Sequence, residues 1–178
     1  MAKWIALLRG INVGGRNTVP MAALRALCEG LGWKEVETFI QSGNVLFEAS
    51  GTAGTLESAL EEAMETRFGF RPAAIVRSAA GWAKLLDANP FVSEAEAEPA
   101  KVMVALSKEK LASGAAAAIG AKAAAGEKVR EAGGALWIHY PDGAGRSKLT
   151  PSTIDKAAGS PVTARNWRTV QALKDMTG

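Results

Sequence analysis

One segment organises the chain: Trp4-Ile5-Ala6-Leu7-Leu8-Arg9-Gly10-Ile11-Asn12-Val13-Gly14-Gly15-Arg16-Asn17. Its first five residues form a continuous apolar run, which predicts a buried strand. The following loop holds three glycines, two arginines and two asparagines, and a helical pattern opens after it at Pro20. Glycine leaves backbone N–H groups accessible and arginine supplies positive charge, so we expect an anion-recognition loop here.

The composition indicates an ordinary globular protein. Its 178 residues are 48% hydrophobic and 22% charged, enough for one compact unit or two small subdomains. The single cysteine, Cys28, excludes an internal disulfide and favours a reducing compartment. No stretch approaches ~20 apolar residues, so we predict no signal peptide, no transmembrane helix and a cytoplasmic location without membrane contact.

The positive charge is concentrated near the C-terminus. The formal net charge is +3, which is small for a nucleic-acid-binding protein. From His139 onward six cations stand against three anions, and this excess, 6 − 3, equals the net charge of the whole chain. With one cysteine and one histidine, Cys-rich and His-rich metal sites are excluded. The loop also matches neither of the two common nucleotide-binding patterns, so we predict neither a metal nor a cofactor.

The first half of the chain alternates between strand and helix patterns in the order β-α-β-β-α-β, which is the ferredoxin-like order. The four strands are predicted at residues 4–8, 36–40, 45–47 and 73–76, with helices opening at Pro20 and Thr55. A split βαβ unit makes its first two strands parallel. The Gly-rich loop, the hairpin at 41–44 and the connection at 69–72 should then lie at the same end of the sheet.

The second half predicts a smaller α+β lobe. We expect a ferredoxin-like subdomain at 1–88 and a second subdomain at 99–178 packed against it, with one compact domain as the alternative. A helix should open at Thr150-Pro151, and Thr163 should cap the last helix, which buries Trp167. The acidic stretch between the subdomains is predicted to be a loop, and we find no internal sequence repeat.

Three predicted helix starts carry basic residues. Arg16 precedes the first helix, Arg146 and Lys148 precede the helix at Thr150, and Arg165 with Arg168 lies at the start of the last helix. A cation there opposes the helix dipole at a cost of ~0.3–1 kcal/mol, unless an anion is bound. Any single basic helix start, taken alone, is best explained as solvated surface charge. Three basic helix starts in one chain favour a bound anionic ligand.

Four short motifs resemble the signatures of a bacterial family of unknown function, DUF1697. In chain order they are Leu7-Leu8-Arg9-Gly10-Ile11-Asn12-Val13-Gly14-Gly15, Gln41-Ser42-Gly43-Asn44-Val45, Arg146-Ser147-Lys148-Leu149 and Thr163-Ala164-Arg165-Asn166-Trp167. The resemblance spans nearly the whole chain and implies an α+β fold with a ferredoxin-like first part. It implies no reaction and no cofactor.

The favoured interpretation is a site for a small phosphate- or carboxylate-bearing ligand between the Gly-rich loop and the basic C-terminal segment. Arginine and lysine would hold the anion, and amides would orient it. The predicted ligand-binding residues are Arg9, Asn12, Gly14, Gly15, Gln41, Ser42, Asn44, Arg146, Lys148, Arg165 and Asn166.

Two alternatives stay open. The first is a nucleic-acid-binding module whose basic C-terminal segment follows phosphates. The second is a purely structural role for the signature residues. His139 is the leading acid/base candidate if there is catalysis, because an unperturbed histidine is the side chain that titrates near neutrality. The sequence identifies no reaction, ligand or oligomeric state.

Overall fold

The computed structural model of the protein describes residues 1–178. The fold is α+β, with two four-stranded antiparallel sheets and seven α-helices. The chain divides into unit 1, which comprises Met1–Trp82 and Leu173–Gly178, and unit 2, which comprises Ala83–Ala172. None of the helices combines the length and the hydropathy that crossing a membrane demands.

Unit 1 contains the Gly-rich loop in a β-α-β-β-α-β arrangement. Its elements are β1 (Ala2–Leu8), α1 (Met21–Gly30), β2 (Lys34–Phe39), β3 (Asn44–Ala49), α2 (Ala53–Phe68) and β4 (Ala74–Ser78), followed by α3 (Ala79–Asp87). The strands lie in the order β2-β3-β1-β4, and every neighbouring pair is antiparallel. Because β1 and β2 both run opposite to β3, they run parallel to each other, as the split βαβ argument predicts.

The core of unit 1 lies between the sheet and helices α1 and α2. Leu24 and Cys28 of α1 and Leu60 of α2 are fully buried against strand residues such as Val45 and Phe47. Each such large apolar side chain contributes about 1.5–3 kcal/mol when fully buried. Burial raises the pKa of the Cys28 thiol to about 12, and the nearby charge of Glu29 adds to the shift. Cys28 is therefore a core residue held as a neutral thiol.

Unit 2 repeats the topology of unit 1. Its elements are α4 (Val92–Ala97), β5 (Val102–Ser107), α5 (Ala115–Gly120), β6 (Lys128–Ala132), β7 (Ala135–His139), α6 (Pro151–Ala158) and β8 (Val162–Asn166). Helix α7 (Trp167–Met176) begins in unit 2, and its residues from Leu173 onward belong to unit 1. The strand order β6-β7-β5-β8 is antiparallel throughout and matches the order in unit 1, position for position. In both units a helix follows the last strand directly, as α3 follows β4 and α7 follows β8.

A short local similarity at the first turns of α2 and α6 accompanies this topology. The two segments are Thr52-Ala53-Gly54-Thr55-Leu56-Glu57 and Thr150-Pro151-Ser152-Thr153-Ile154-Asp155. In each, the first threonine is the N-cap and its Oγ1 accepts from the N–H of the second, at 3.3 Å in α2 and 3.2 Å in α6. Six residues of partial similarity within 178 are too weak a signal to recognise before the two helices are seen to be equivalent.

The last helix was predicted to begin too early. Residues Val162–Asn166 form strand β8, with Thr163 opposite Leu106 and Arg165 opposite Val104 of β5. The helix starts at Trp167, and Asn166 caps it, because its Oδ1 accepts from the N–H of Thr169 at 2.9 Å. The Thr-Ala-Arg-Asn sequence has little strand propensity, but pairing along β5 outweighs it.

The structure also differs from two other local predictions. The acidic stretch predicted as a loop contains α4, which buries Ala95. The cap of α2 is Thr52 rather than Thr55, which occupies the third helical position. Both differences follow from tertiary or capping contacts that helix propensity alone does not rank.

Candidate functional site

The Gly-rich loop folds back on itself as a tight hairpin turn. The N–H of Arg16 donates to the carbonyl of Val13 at 2.9 Å. Gly14 and Gly15, between them, have φ values of 58° and 74°. Positive φ at both central residues is the pattern of a type I′ turn, which favours glycine. Such a turn bonds only its last N–H back to its first carbonyl. Gly14 and Gly15 are exposed, and their N–H groups take no part in the hydrogen bond of the turn.

The side chain of Asn12 ties this turn to two other segments. Its Nδ2 donates to the carbonyl of Val19 at 3.0 Å and to that of Gln41 at 2.8 Å. Its Oδ1 accepts from the N–H of Val19 at 2.7 Å. The φ of Asn12 is 54°, in the left-handed region that asparagine tolerates better than most residues do. Both amide hydrogens of Asn12 are thus used to hold the loop against the start of α1 and against the hairpin.

The hairpin between β2 and β3 packs tightly against the loop. Asn44 is fully buried, and its Nδ2 donates to the carbonyl of Phe39 at 2.9 Å and to Oγ of Ser42 at 3.0 Å. At Gly43 the φ is +90°, and a Cβ would lie 2.7 Å from Cδ1 of Ile11. A side chain at this position would require Ile11 to move and would be strained at this φ, so the position favours glycine.

The three segments predicted to share one end of the sheet do meet there. The N–H of Leu8 donates to the carbonyl of Gly43 at 2.8 Å. The N–H of Arg9 donates to the carbonyl of Ala73, which follows the 69–72 connection, at 3.0 Å. We call residues 9–19 and 40–43 together the loop end of unit 1.

Positive charge at the loop end comes from arginine and from a helix terminus. Arg16 is exposed and Arg9 is half-buried. Helix α1 begins at Met21 without an acidic residue in its first turn, and its N-cap, Pro20, makes no side-chain hydrogen bond. The bonds between Asn12 and Val19 hold this terminus beside the turn. The partial positive charge of the α1 N-terminus is therefore not offset by a carboxylate of its own first turn.

The signature around Ser147 in unit 2 is built differently. Oγ of Ser147 donates to Oε1 of Glu127 at 3.3 Å and accepts from the N–H of Leu149 at 3.1 Å. This anchor leaves Arg146 and Lys148 exposed on either side. A cavity of about 110 Å³ lies at this point, with Tyr140 and Glu127 among its lining residues.

The carboxylate of Glu127 is stabilised in its charged form. Burial raises its pKa, but hydrogen bonds from the N–H groups of Ala125, of Glu127 itself and of Ala124, and from the Ser147 hydroxyl, outweigh burial and lower the pKa. Burial, together with the charge of Glu127, raises the pKa of Tyr140 to about 12. The cavity therefore holds an ionised carboxylate beside a protonated phenol.

Arg165 lies inside unit 2 rather than on its surface. It is 8% exposed, and its Nη1 donates to Oγ1 of Thr163 at 2.8 Å and to the carbonyl of Ala164 at 3.0 Å. Burial lowers the pKa of its guanidinium to about 10. Arg77 occupies the equivalent place in β4, and its Nη1 donates to the preceding carbonyl at 3.0 Å. These bonds give both arginines a role in their own strands, and the predicted ligand role of Arg165 stays a prediction.

His139, the acid/base candidate, lies on β7 and is half-buried. Its Nδ1 is buried without a hydrogen-bond partner, and its ring centroid lies 6.1 Å from that of Phe91. The chain holds no group of three or more His, Cys, Asp or Glu residues placed to bind a metal ion.

The chain is similar to one protein family and to a solved structure. The model of a family described as "protein of unknown function", DUF1697, matches residues 1–137. The chain belongs to this family. The matched span contains the whole loop end of unit 1, whereas the motifs at Arg146 and Thr163 lie beyond it.

A solved structure supports the overall fold. A conserved bacterial protein from Streptococcus pneumoniae aligns with a TM-score of 0.74 over 99% of each chain, at 23% sequence identity. At that identity the similarity shows the fold alone. No curated protein matches the chain. The DUF1697 resemblance is thus confirmed, and the chemistry must be argued from the loop end itself.

Proposed function

We propose that the loop end of unit 1 binds a small anionic ligand that bears a phosphate or a carboxylate. The observation that carries the proposal is the Asn12 side chain, which joins the turn, the start of α1 and the hairpin through bonds of 2.7–3.0 Å. A rigid turn with accessible N–H groups, next to an uncapped helix N-terminus, is a site that suits anions.

The proposal divides the predicted site residues into two roles. Asn12 bonds from the loop to the hairpin, whereas Asn44 bonds within the hairpin to Phe39 and Ser42, and these bonds shape the site. Anion contact is assigned to Arg16, to Arg9 and to the N–H groups of Gly14 and Gly15. Charge-assisted hydrogen bonds from guanidinium and backbone N–H groups are the usual means of holding a phosphate. Gln41 is exposed beside them and can donate through its side-chain amide.

This proposal includes the finer fold assignment. We treat unit 1 as ferredoxin-like, and its β-α-β-β-α-β order together with the strand order β2-β3-β1-β4 supports that assignment. In this arrangement β1 lies in the interior of the sheet. A loop that follows an interior strand has a fixed base, which favours a preorganised site.

The test is a thermal-shift titration with inorganic phosphate, sulfate and citrate. At a hundredfold excess over Kd a ligand adds about 2.7 kcal/mol of stability, which raises the melting temperature by about 5–10 °C. Arg16→Ala should weaken phosphate binding at least fivefold without lowering the melting temperature of the free protein. Lys34→Ala, an exposed cation on β2, is the matched control and should leave binding unchanged. If none of the three anions raises the melting temperature, the proposal is wrong.

A second candidate, a nucleic-acid-binding module, is favoured by the excess of cations after His139. Arg146 and Lys148 are exposed, whereas Arg165 is buried, so Arg146 and Lys148 are the cations that this candidate is tested on. The same titration should include a single-stranded and a double-stranded oligonucleotide at low salt. Binding that falls steeply with salt, and is lost in the Arg146→Ala Lys148→Ala double variant, would favour this candidate.

A further inference from the structure

Two exposed aliphatic side chains belong to the loop end of unit 1. Val13 is 62% exposed and Ile40 is 50% exposed. They belong to a small set, because only Met1 and Val92 are also large apolar residues with exposed side chains. The sequence pattern placed Ile40 at the end of the predicted strand 36–40 and Val13 within the Gly-rich loop, and it assigned neither of them a ligand contact. Strand β2 ends one residue earlier, at Phe39.

Val13 and Ile40 flank the same hydrogen bond. Val13 follows Asn12 and Ile40 precedes Gln41, and Nδ2 of Asn12 lies 2.8 Å from the carbonyl oxygen of Gln41. Consecutive Cα atoms lie about 3.8 Å apart, so both aliphatic residues belong to the immediate surroundings of this bond. Arg16 is paired with Val13 across the turn. Apolar and basic groups are therefore presented on one pair of connected loops.

The backbone at Ile40 is strained. Its φ is 51°, whereas β-branched residues rarely adopt the left-handed region. The other non-glycine residues with positive φ are Asn12, Asn17 and Glu35. Strain of this kind persists where the surroundings over-determine the conformation, often at ligand sites. An asparagine or glycine would relieve the strain at Ile40, yet an exposed isoleucine stands there.

We propose that the ligand of the loop end carries an apolar group next to its anionic group, and that Val13 and Ile40 contact this apolar group. The inference rests on the proposed function, which assigns the anionic group to Arg16 and the turn. The ligand class is then an anion on an apolar body, such as an aryl or alkyl phosphate or carboxylate. A fully hydrated anion such as free phosphate would leave both aliphatic side chains in water.

The experiment compares inorganic phosphate with phenyl phosphate by calorimetric titration of the whole protein. Covering about 40–80 Å² of apolar surface at about 25 cal/mol per Å² corresponds to a five- to thirtyfold lower Kd for phenyl phosphate. Ile40→Asn should abolish most of this preference while inorganic phosphate binds as before. Because asparagine tolerates the left-handed region, this variant should melt at a temperature no lower than the parent protein.

Two further variants complete the design. Val13→Thr keeps the branched shape, adds a hydroxyl and should reduce the preference for phenyl phosphate. Val92→Thr changes the exposed aliphatic residue of α4 and should leave the preference unchanged. Equal affinities for the two phosphates would overturn the inference and leave the proposed function standing. Absence of binding by either would overturn both, and a preference that survives Ile40→Asn and Val13→Thr would overturn the assignment of these two residues.

Discussion

At the residue scale, Asn12 shows how a predicted ligand residue can have a structural role. The sequence singled it out because amides orient anions, yet three hydrogen bonds commit its side chain to Val19 and Gln41. The β-α-β-β-α-β order predicts that the loop and the hairpin lie at the same end of the sheet. The sequence does not predict which atoms form the hydrogen bonds between them, because every residue has the same backbone carbonyl.

We predict that Asn12→Ala lowers the free energy of unfolding by about 2–4 kcal/mol. Three hydrogen bonds at about 0.5–1.5 kcal/mol each are lost, and alanine is strained at a φ of 54°. Urea denaturation of the variant and the parent measures the difference. Asn12→Gly removes the same bonds without the strain, so its loss should be smaller than that of Asn12→Ala.

Asn17 provides the comparison for this prediction. Its φ is 51°, close to that of Asn12, but its Nδ2 makes a single bond, to the carbonyl of Gly10 at 3.1 Å. Asn17→Ala should therefore cost about 1–2 kcal/mol. A loss for Asn12→Ala no larger than the loss for Asn17→Ala would show that Asn12 does not hold the three segments together.

At the element scale, both units protect the last strand of their sheets with helix carboxylates. Strands β4 and β8 lie at sheet edges. Oε2 of Glu61 accepts from the N–H of Ala74 at 3.0 Å, and Oε2 of Glu57 from that of Val76 at 2.9 Å. In unit 2, Oδ1 of Asp155 accepts from the N–H of Val162 at 3.0 Å. Such bonds satisfy edge donors that would otherwise be open to pairing with another chain.

The prediction at this scale is that Glu61→Ala destabilises the protein by about 1–3 kcal/mol, the cost of leaving a buried N–H without an acceptor. Glu61→Gln keeps a side-chain carbonyl oxygen and should cost less. Glu62→Ala, which removes the neighbouring exposed carboxylate, should change stability by no more than about 0.5 kcal/mol. Thermal denaturation at neutral pH separates the three variants. Equal losses for Glu61→Ala and Glu62→Ala would contradict the proposed role.

Helices and strands with strong local sequence signals were predictable from the sequence. Elements that form only by packing or pairing with another part of the chain were not. Strand β1 contains the continuous apolar run at 4–8. Helices α2 and α6 carry recognisable end signals, including the left-handed Gly69 and Gly159 after their last turns. Strand β8 escaped prediction because its identity comes from pairing with β5. The loop end was located from topology, but Val13 and Ile40 were missed, because exposure is a property of the folded chain.

At the scale of the whole molecule, the chain ends belong to the same unit. Leu173–Gly178 cluster with unit 1, and Nζ of Lys3 donates to the carbonyl of Thr177 at 3.1 Å. Two units with one topology and a shared Thr-x-x-Thr cap have the form expected of a duplication. Within the two matching segments the identical residues are the two threonines of the cap, and the helix-core position (Leu56, Ile154) and the edge-contact position (Glu57, Asp155) keep only their chemical character.

This organisation predicts which unit loses stability when a buried side chain near the C-terminus is truncated. Leu173 is fully buried and belongs to unit 1. Replacing a buried leucine by alanine typically costs about 2–5 kcal/mol. Hydrogen exchange followed by mass spectrometry should therefore show that Leu173→Ala increases the exchange rate, relative to the parent protein, more in β1 and β3 than in β5 and β7. Ile119→Ala, in the fully buried part of α5, should give the opposite pattern. If Leu173→Ala speeds exchange in unit 2 as much as in unit 1, the C-terminal residues do not stabilise unit 1 selectively. The two units would then be separate in their contacts but not in their local stability.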